Sequence, residues 1–146
     1  MVPPRILGNA EKVPAGHSNN TILFADDDGS FQELVTLLLH RCGYEVILAR
    51  DGKEALQKAR EFDGVIHLLL SDVHMPGMTG IELAVQLNQE RPDTKILLLS
   101  GLPTGTPDLN SGWQFLPKPF RPEILIDRIR DFLSQQPSPK ARLPNA

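Results

Sequence analysis

Between residues 21 and 135, short apolar runs alternate with stretches of helical spacing. Residues 22–25 form the first run, and acids follow it at once. The next stretch places Phe31, Leu34, Val35, Leu38 and Cys42 on one stripe with a period of about 3.6, which predicts a helix. Ser30 and Glu33 have capping-box spacing at its start, and Gly43 closes it. Residues 44–49 read as a second strand. Asp51 can cap a second helix through Glu54, with Ala55, Leu56, Ala59 and Phe62 facing inward. Residues 65–70 are nearly all apolar, the pattern of a parallel strand buried on both faces. A third helix starts at Thr79 with Glu82 at box spacing, turns Ile81, Ala84, Val85 and Leu87 or Asn88 inward, and stops at Pro92. Residues 95–99 make a fourth strand and 113–116 a short fifth. Pro122 suits the first turn of a last helix whose apolar side is Leu125, Ile129, Phe132 and Leu133.

Strand and helix alternating in this way, with five strands, predict an α/β doubly wound parallel sheet. Its crossovers should be right-handed, so helices must cover both faces. Residues 101–112 interrupt the alternation with Pro103, Gly105, Pro107 and Gly112, so a fourth helix between the last two strands should be short or absent. Proline and glycine also gather at the ends. Residues 1–20 read as a flexible leader or linker, 136–146 as a flexible tail, and 21–135 as the folded domain.

Composition narrows the function classes. The longest apolar runs are far below the ~20 residues that span a bilayer, so no membrane association is expected. The first twenty residues lack the apolar core of a secretory signal. A single cysteine, Cys42, can form neither an internal disulfide nor a zinc site, which fits a reducing, cytoplasmic setting. A net charge of −3 gives no electrostatic reason to bind nucleic acid. His17, His40 and His67 show no metal-ligand spacing.

Polar residues break the apolar strands at their carboxyl ends. Asp26, Asp27 and Asp28 follow the first strand, Asp72 ends the third, Ser100 ends the fourth, and Lys118 follows the fifth. In open α/β sheets ligands bind at the carboxyl edge, where strand order reverses. With order 2-1-3-4-5, Asp26, Asp27 and Asp72 would converge at that point. Carboxylates so close repel one another unless a cation joins them, and hard oxygen ligands suit Mg²⁺. A carboxylate beside Mg²⁺ can attack a phosphoryl group in line, while a lysine and the metal balance the charge on the phosphoryl oxygens. Asp72, Lys118 and Ser100 are the residue types that such phosphoryl transfer requires.

Four stretches now resemble the receiver domain of two-component response regulators. They are Ile-Leu-Phe-Ala-Asp-Asp-Asp at 22–28, Leu-Leu-Leu-Ser-Asp-Val-His-Met-Pro-Gly-Met-Thr-Gly at 68–80, Ile-Leu-Leu-Leu-Ser-Gly at 96–101 and Phe-Leu-Pro-Lys-Pro-Phe at 115–120. The resemblance covers about residues 21–135 and implies a flavodoxin-like fold. It implies Asp72 as phosphoacceptor, with Mg²⁺ held by Asp26, Asp27, Asp72 and the backbone carbonyl of His74. Ser100 would be the switch hydroxyl, Phe115 the aromatic switch residue, and Lys118 the partner of the phosphoryl group, joined to Pro119 by a cis bond. The phosphoryl donor would be a histidine kinase or a phosphotransfer protein, and output would pass to a partner protein by a conformational switch. Such a domain is not an enzyme beyond its own phosphorylation and dephosphorylation. Ser100 and Lys118 lie closer in sequence than is usual in this family, and the deficit falls in the proline- and glycine-rich stretch.

Two rivals share part of the pattern. Asp26-Asp27-Asp28-Gly29-Ser30 also fits the opening motif of haloacid-dehalogenase-type phosphatases, with Asp26 as nucleophile, Asp28 as acid/base, Ser100 and Lys118 as later motifs. Those enzymes need a further acidic pair after the lysine, and only Asp127 and Asp131 follow, inside an amphipathic stretch. That reading also leaves Asp72 and its Met-Pro-Gly loop without a role. A flavodoxin-like electron carrier would need a phosphate-cradling loop where three aspartates stand, and these would repel the flavin phosphate.

Overall fold

The computed structural model describes residues 20–101 and 112–135. Its order is β1 (Thr21–Ala25), α1 (Gly29–Arg41), β2 (Glu45–Ala49), α2 (Gly52–Glu61), β3 (Leu68–Asp72), α3 (Gly80–Glu90), β4 (Lys95–Ser100), β5 (Gln114–Pro117) and α4 (Pro122–Ser134). The strands form one parallel sheet, as the alternation predicts, and its order is β2-β1-β3-β4-β5, the one under which the acids were expected to converge. The expected leader, the tail and the short or missing helix before β5 fall outside the described residues, Asn20, Gly101 and Gly112 excepted. No described helix is long and apolar enough to cross a membrane.

Side chains on a strand alternate between faces, and the two cores follow that period. Leu23, Ala25, Leu69, Ile96 and Leu98 pack with α2 and α3 residues such as Ala55, Ala59, Leu83 and Leu87. Ile22, Phe24, Leu68, Leu70, Leu97 and Leu99 pack with Val35 and Leu39 of α1 and with Leu125, Ile129 and Phe132 of α4. All three central strands are therefore buried on both sides.

Several local expectations are corrected. The third strand begins at Leu68, and Val65 is 63% exposed in the preceding connection. Asp28 caps α1, its side chain accepting from the N–H groups of Ser30 and Phe31, so the cap lies two residues before the Ser30 box. The buried face of α1 is Gln32, Val35 and Leu39, while Leu34 and Leu37 are exposed. A buried glutamine displaces the apparent stripe because Gln32 Nε2 donates to the carbonyls of Phe24 (3.2 Å) and Ala49 (2.8 Å). In α3, Leu83 is buried and Val85 is exposed. The Asp51 cap, the Thr79–Glu82 capping box and Pro122 at the start of α4 stand as predicted.

Candidate functional site

Register alone brings the acids together. β1 and β3 pair through Ala25↔Ser71, and one step further along the two neighbouring strands stand Asp26 and Asp72. Asp26 is fully buried, Asp72 is buried and Asp27 is exposed. Carboxylate oxygens of the three lie within 4.8 Å of one another. The backbone N–H of Asp28 donates to Asp26 Oδ1 at 2.9 Å, whereas Asp26 Oδ2 is buried and has no hydrogen-bond partner. Burial pushes the Asp26 carboxyl up from 3.8 to about 6. The Asp28 N–H and the Lys118 charge act against that rise, and the Asp72 and Asp27 charges add to it.

Lys118 enters from β5. Its N–H donates to the Ser100 carbonyl at 2.7 Å, and its ammonium lies 3.3 Å from Asp72 Oδ1. A tight charged pair closes to about 2.7–2.9 Å, so this contact is loose. The Lys118–Pro119 bond is cis, as expected. Ser100 is half-buried at the end of β4, one residue beyond Leu99, the register partner of Asp72. His74 lies exposed in the turn after β3, two residues past Asp72. Phe115 does not join the acidic cluster. It is half-buried in β5 and packs against the core shared with α2 and α3.

Four residues matter here that the sequence pattern did not single out. Ser71 Oγ donates to the Asp72 carbonyl at 2.9 Å. Gly80 packs so closely that a Cβ there would overlap the Asp72 carbonyl oxygen. Gln32 ties the ends of β1 and β2 to α1. Phe31 lies under the Lys118 ammonium, 5.4 Å from ring centroid to Nζ. Ser71 and Gly80 stand in the 68–80 stretch that carries the resemblance, Phe31 is an aromatic residue in the first helical turn after three aspartates, and Gln32 gave no signal.

The donor set fits a hard divalent cation. Three carboxylates face one ammonium, and the orphaned Asp26 Oδ2 is a buried oxygen with its lone pairs available. Asp28, the acid/base of the phosphatase-like alternative, caps α1 with its carboxylate, and the fully buried Asp26 makes a poor nucleophile beside the more accessible Asp72.

Known proteins agree with this geometry. The response regulator receiver domain model matches residues 22–130. The alkaline phosphatase synthesis transcriptional regulatory protein PhoP of Bacillus subtilis is 34% identical over 139 residues, which cover 87% of this chain and 55% of PhoP. The chain spans about half the length of such transcriptional regulators. Among solved structures, the receiver domain from the hybrid histidine kinase CckA superposes with a TM-score of 0.69 at 36% identity, covering 79% of this chain and all of that one. The response regulator TrrA of Thermotoga maritima, solved with Mg²⁺-BeF, superposes with a TM-score of 0.67 at 32% identity over 77% of this chain and 98% of its own. TrrA has also been solved in complex with the histidine kinase ThkA. With the acidic cluster, the lysine and the sheet order all in place, the chain belongs to the response regulator receiver domain family.

Proposed function

We propose that residues 21–135 act as a phosphoacceptor receiver that takes a phosphoryl group onto Asp72 from a histidine kinase or a phosphotransfer protein. The observation that supports it is the Asp72 carboxylate, set at the carboxyl edge between the acidic pair and the Lys118 ammonium at 3.3 Å. An Asp72 oxygen attacks phosphorus, an O–P bond forms, and the bond from phosphorus to the donor nitrogen or acyl oxygen breaks, its electron pair leaving with the donor. Lys118 turns its charge toward the phosphoryl oxygens, and the Ser100 hydroxyl meets them from β4. Asp26, Asp27, Asp72 and the His74 carbonyl would hold Mg²⁺, which when bound neutralises charge on the transferred group. Phe115 responds to movement of Ser100, and output passes to a partner protein. The pairing of TrrA with ThkA supports a kinase as donor. A cytoplasmic location suits such a partner, and the chemistry is limited to the domain's own phosphorylation and hydrolysis.

Incubation with Mg²⁺ and a small acyl phosphate, followed by intact mass and peptide mapping, tests the proposal. One phosphoryl group should appear on Asp72, and Asp72→Asn should abolish it. Label that survives Asp72→Asn and disappears in Asp26→Asn would overturn the receiver reading in favour of the phosphatase-type one.

A further inference from the structure

The lysine at the site meets an aromatic ring as well as the acidic cluster. Its ammonium lies 3.3 Å from Asp72 Oδ1 and 5.4 Å from the centroid of the Phe31 ring. That second distance is within the ~6 Å over which a ring face attracts a cation. The ring itself is held. Phe24 meets it edge-on at 6.1 Å and 77°, and Phe120, two residues beyond Lys118, meets it at 6.0 Å and 65°. The Phe31 backbone is fixed too, since its N–H donates to Asp28 Oδ1 at 3.2 Å. One turn therefore supplies both the acidic pocket and the aromatic seat for the opposing cation.

We propose that Phe31 is a positioning residue for phosphoryl transfer: its ring holds the Lys118 ammonium beside Asp72 without letting it close on the carboxylate. This rests on Asp72 being the phosphoacceptor. A lysine fully paired with Asp72 would draw electron density from the attacking oxygen, and a lysine loose in solvent would lose rotamer entropy when it met the incoming charge. Seated on the ring, the ammonium stays within about an ångström of a tight contact yet leaves the Asp72 oxygen without a tight ion pair. An aliphatic side chain at residue 31 would keep the packing against Phe24 and Phe120 but lose the attraction to the cation.

Phe31→Leu and Phe31→Tyr separate the two roles, with unfolding in urea used to compare their folds. Phosphorylation by a small acyl phosphate at saturating Mg²⁺ should slow roughly two- to five-fold in Phe31→Leu, the effect of losing one partly exposed cation–π contact. Phe31→Tyr should restore the rate, and apparent Mg²⁺ affinity should be the same in all three proteins. A Phe31→Leu protein as fast as wild type, or a Phe31→Tyr protein as slow as Phe31→Leu, overturns the proposal. A second readout needs no label. The Lys118 ε-methylene protons should show an upfield ring-current shift that Phe31→Leu removes and Phe31→Tyr keeps, and absence of that shift in the wild type overturns the proposal as well. A wild type that takes no phosphoryl group overturns the phosphoacceptor reading along with this one, whereas a labelled wild type indifferent to Phe31→Leu overturns this one alone.

Discussion

The two edges of the sheet treat polar groups in opposite ways. At the amino-terminal edge described polar side chains donate to backbone carbonyls. Thr94 Oγ1 donates to the Ile66 carbonyl at 2.7 Å, and Arg91 donates to the carbonyls of Ala59, Phe62 and Gly64 at 2.8–2.9 Å. The Lys95 ammonium, whose pKa burial pushes down, reaches the carbonyls of Phe132 and Gln135 at 2.9 Å. The Thr21 N–H even donates to a side chain, His67 Nδ1, at 2.9 Å. At the carboxyl edge, by contrast, a buried carboxylate oxygen has no partner, carboxylates crowd within 4.8 Å, and the one described ion pair there is stretched to 3.3 Å. Hydrogen bonds satisfied at one edge stabilise the fold. Charge left uncompensated at the other destabilises it, and that imbalance is what a divalent cation can relieve.

Four substitutions probe this contrast. The largest effect is expected from Gly80→Ala, since the new methyl group would overlap the Asp72 carbonyl oxygen and backbone cannot easily yield. It should destabilise by roughly 3 kcal/mol in urea unfolding and displace Asp72 as well, lowering phosphorylation. Next comes the orphaned acid. A carboxyl raised from 3.8 to about 6 binds more protons folded than unfolded between those values, so metal-free stability should fall as pH rises from about 4 to about 6. The shift corresponds to at most about 3 kcal/mol, and Asp26→Asn, which keeps an acceptor for the Asp28 N–H, should recover roughly 2 kcal/mol at pH 7 in chelator. A metal-free protein whose stability rises through that pH window would contradict the sign. Mg²⁺ titrations should show the opposite ranking of the two proteins, with wild type gaining more.

The opposite edge responds in the ordinary direction. Arg91→Ala removes donors from three carbonyls and should cost about 1.5 kcal/mol, less than the bonds would suggest because the bond to Gly64 is exposed to water. Thr94→Val should cost about 1 kcal/mol, leaving the Ile66 carbonyl without its donor. Neither change should alter the phosphorylation rate. A rate change in either, at equal fractions folded, would mean that the edges are coupled.

The parallel sheet was legible from period, and the acidic cluster followed once the order 2-1-3-4-5 was taken for it. Apolar runs ending in Asp26, Asp72 and Ser100 leave little freedom once neighbouring parallel strands are aligned, and Ala25↔Ser71 is that alignment. Helix faces were harder to read. A buried Gln32 looks polar to any hydrophobic count, so the predicted stripe on α1 rotated toward Leu34. Asp28 competed with Ser30 for the cap, and spacing alone favoured the box. The Phe31 seat was hidden for a different reason: it joins residues 87 positions apart, and no local pattern reports that a lysine will settle over a ring. Residues 102–111, where the short or missing helix was expected, lie outside the described part.

Gln32 also bears on how this surface can change over generations. Its amide anchors α1 from the inside, to two strand carbonyls, so the helix does not rely on its outer face for orientation. Leu34 and Leu37, exposed by 46% and 49%, are thereby released from the demands of folding, and replacing either should change stability by no more than about 0.5 kcal/mol. Selection acting on that outer face meets almost no structural resistance, so a lineage could rewrite it one residue at a time while inheriting the sheet, the acids and the lysine intact.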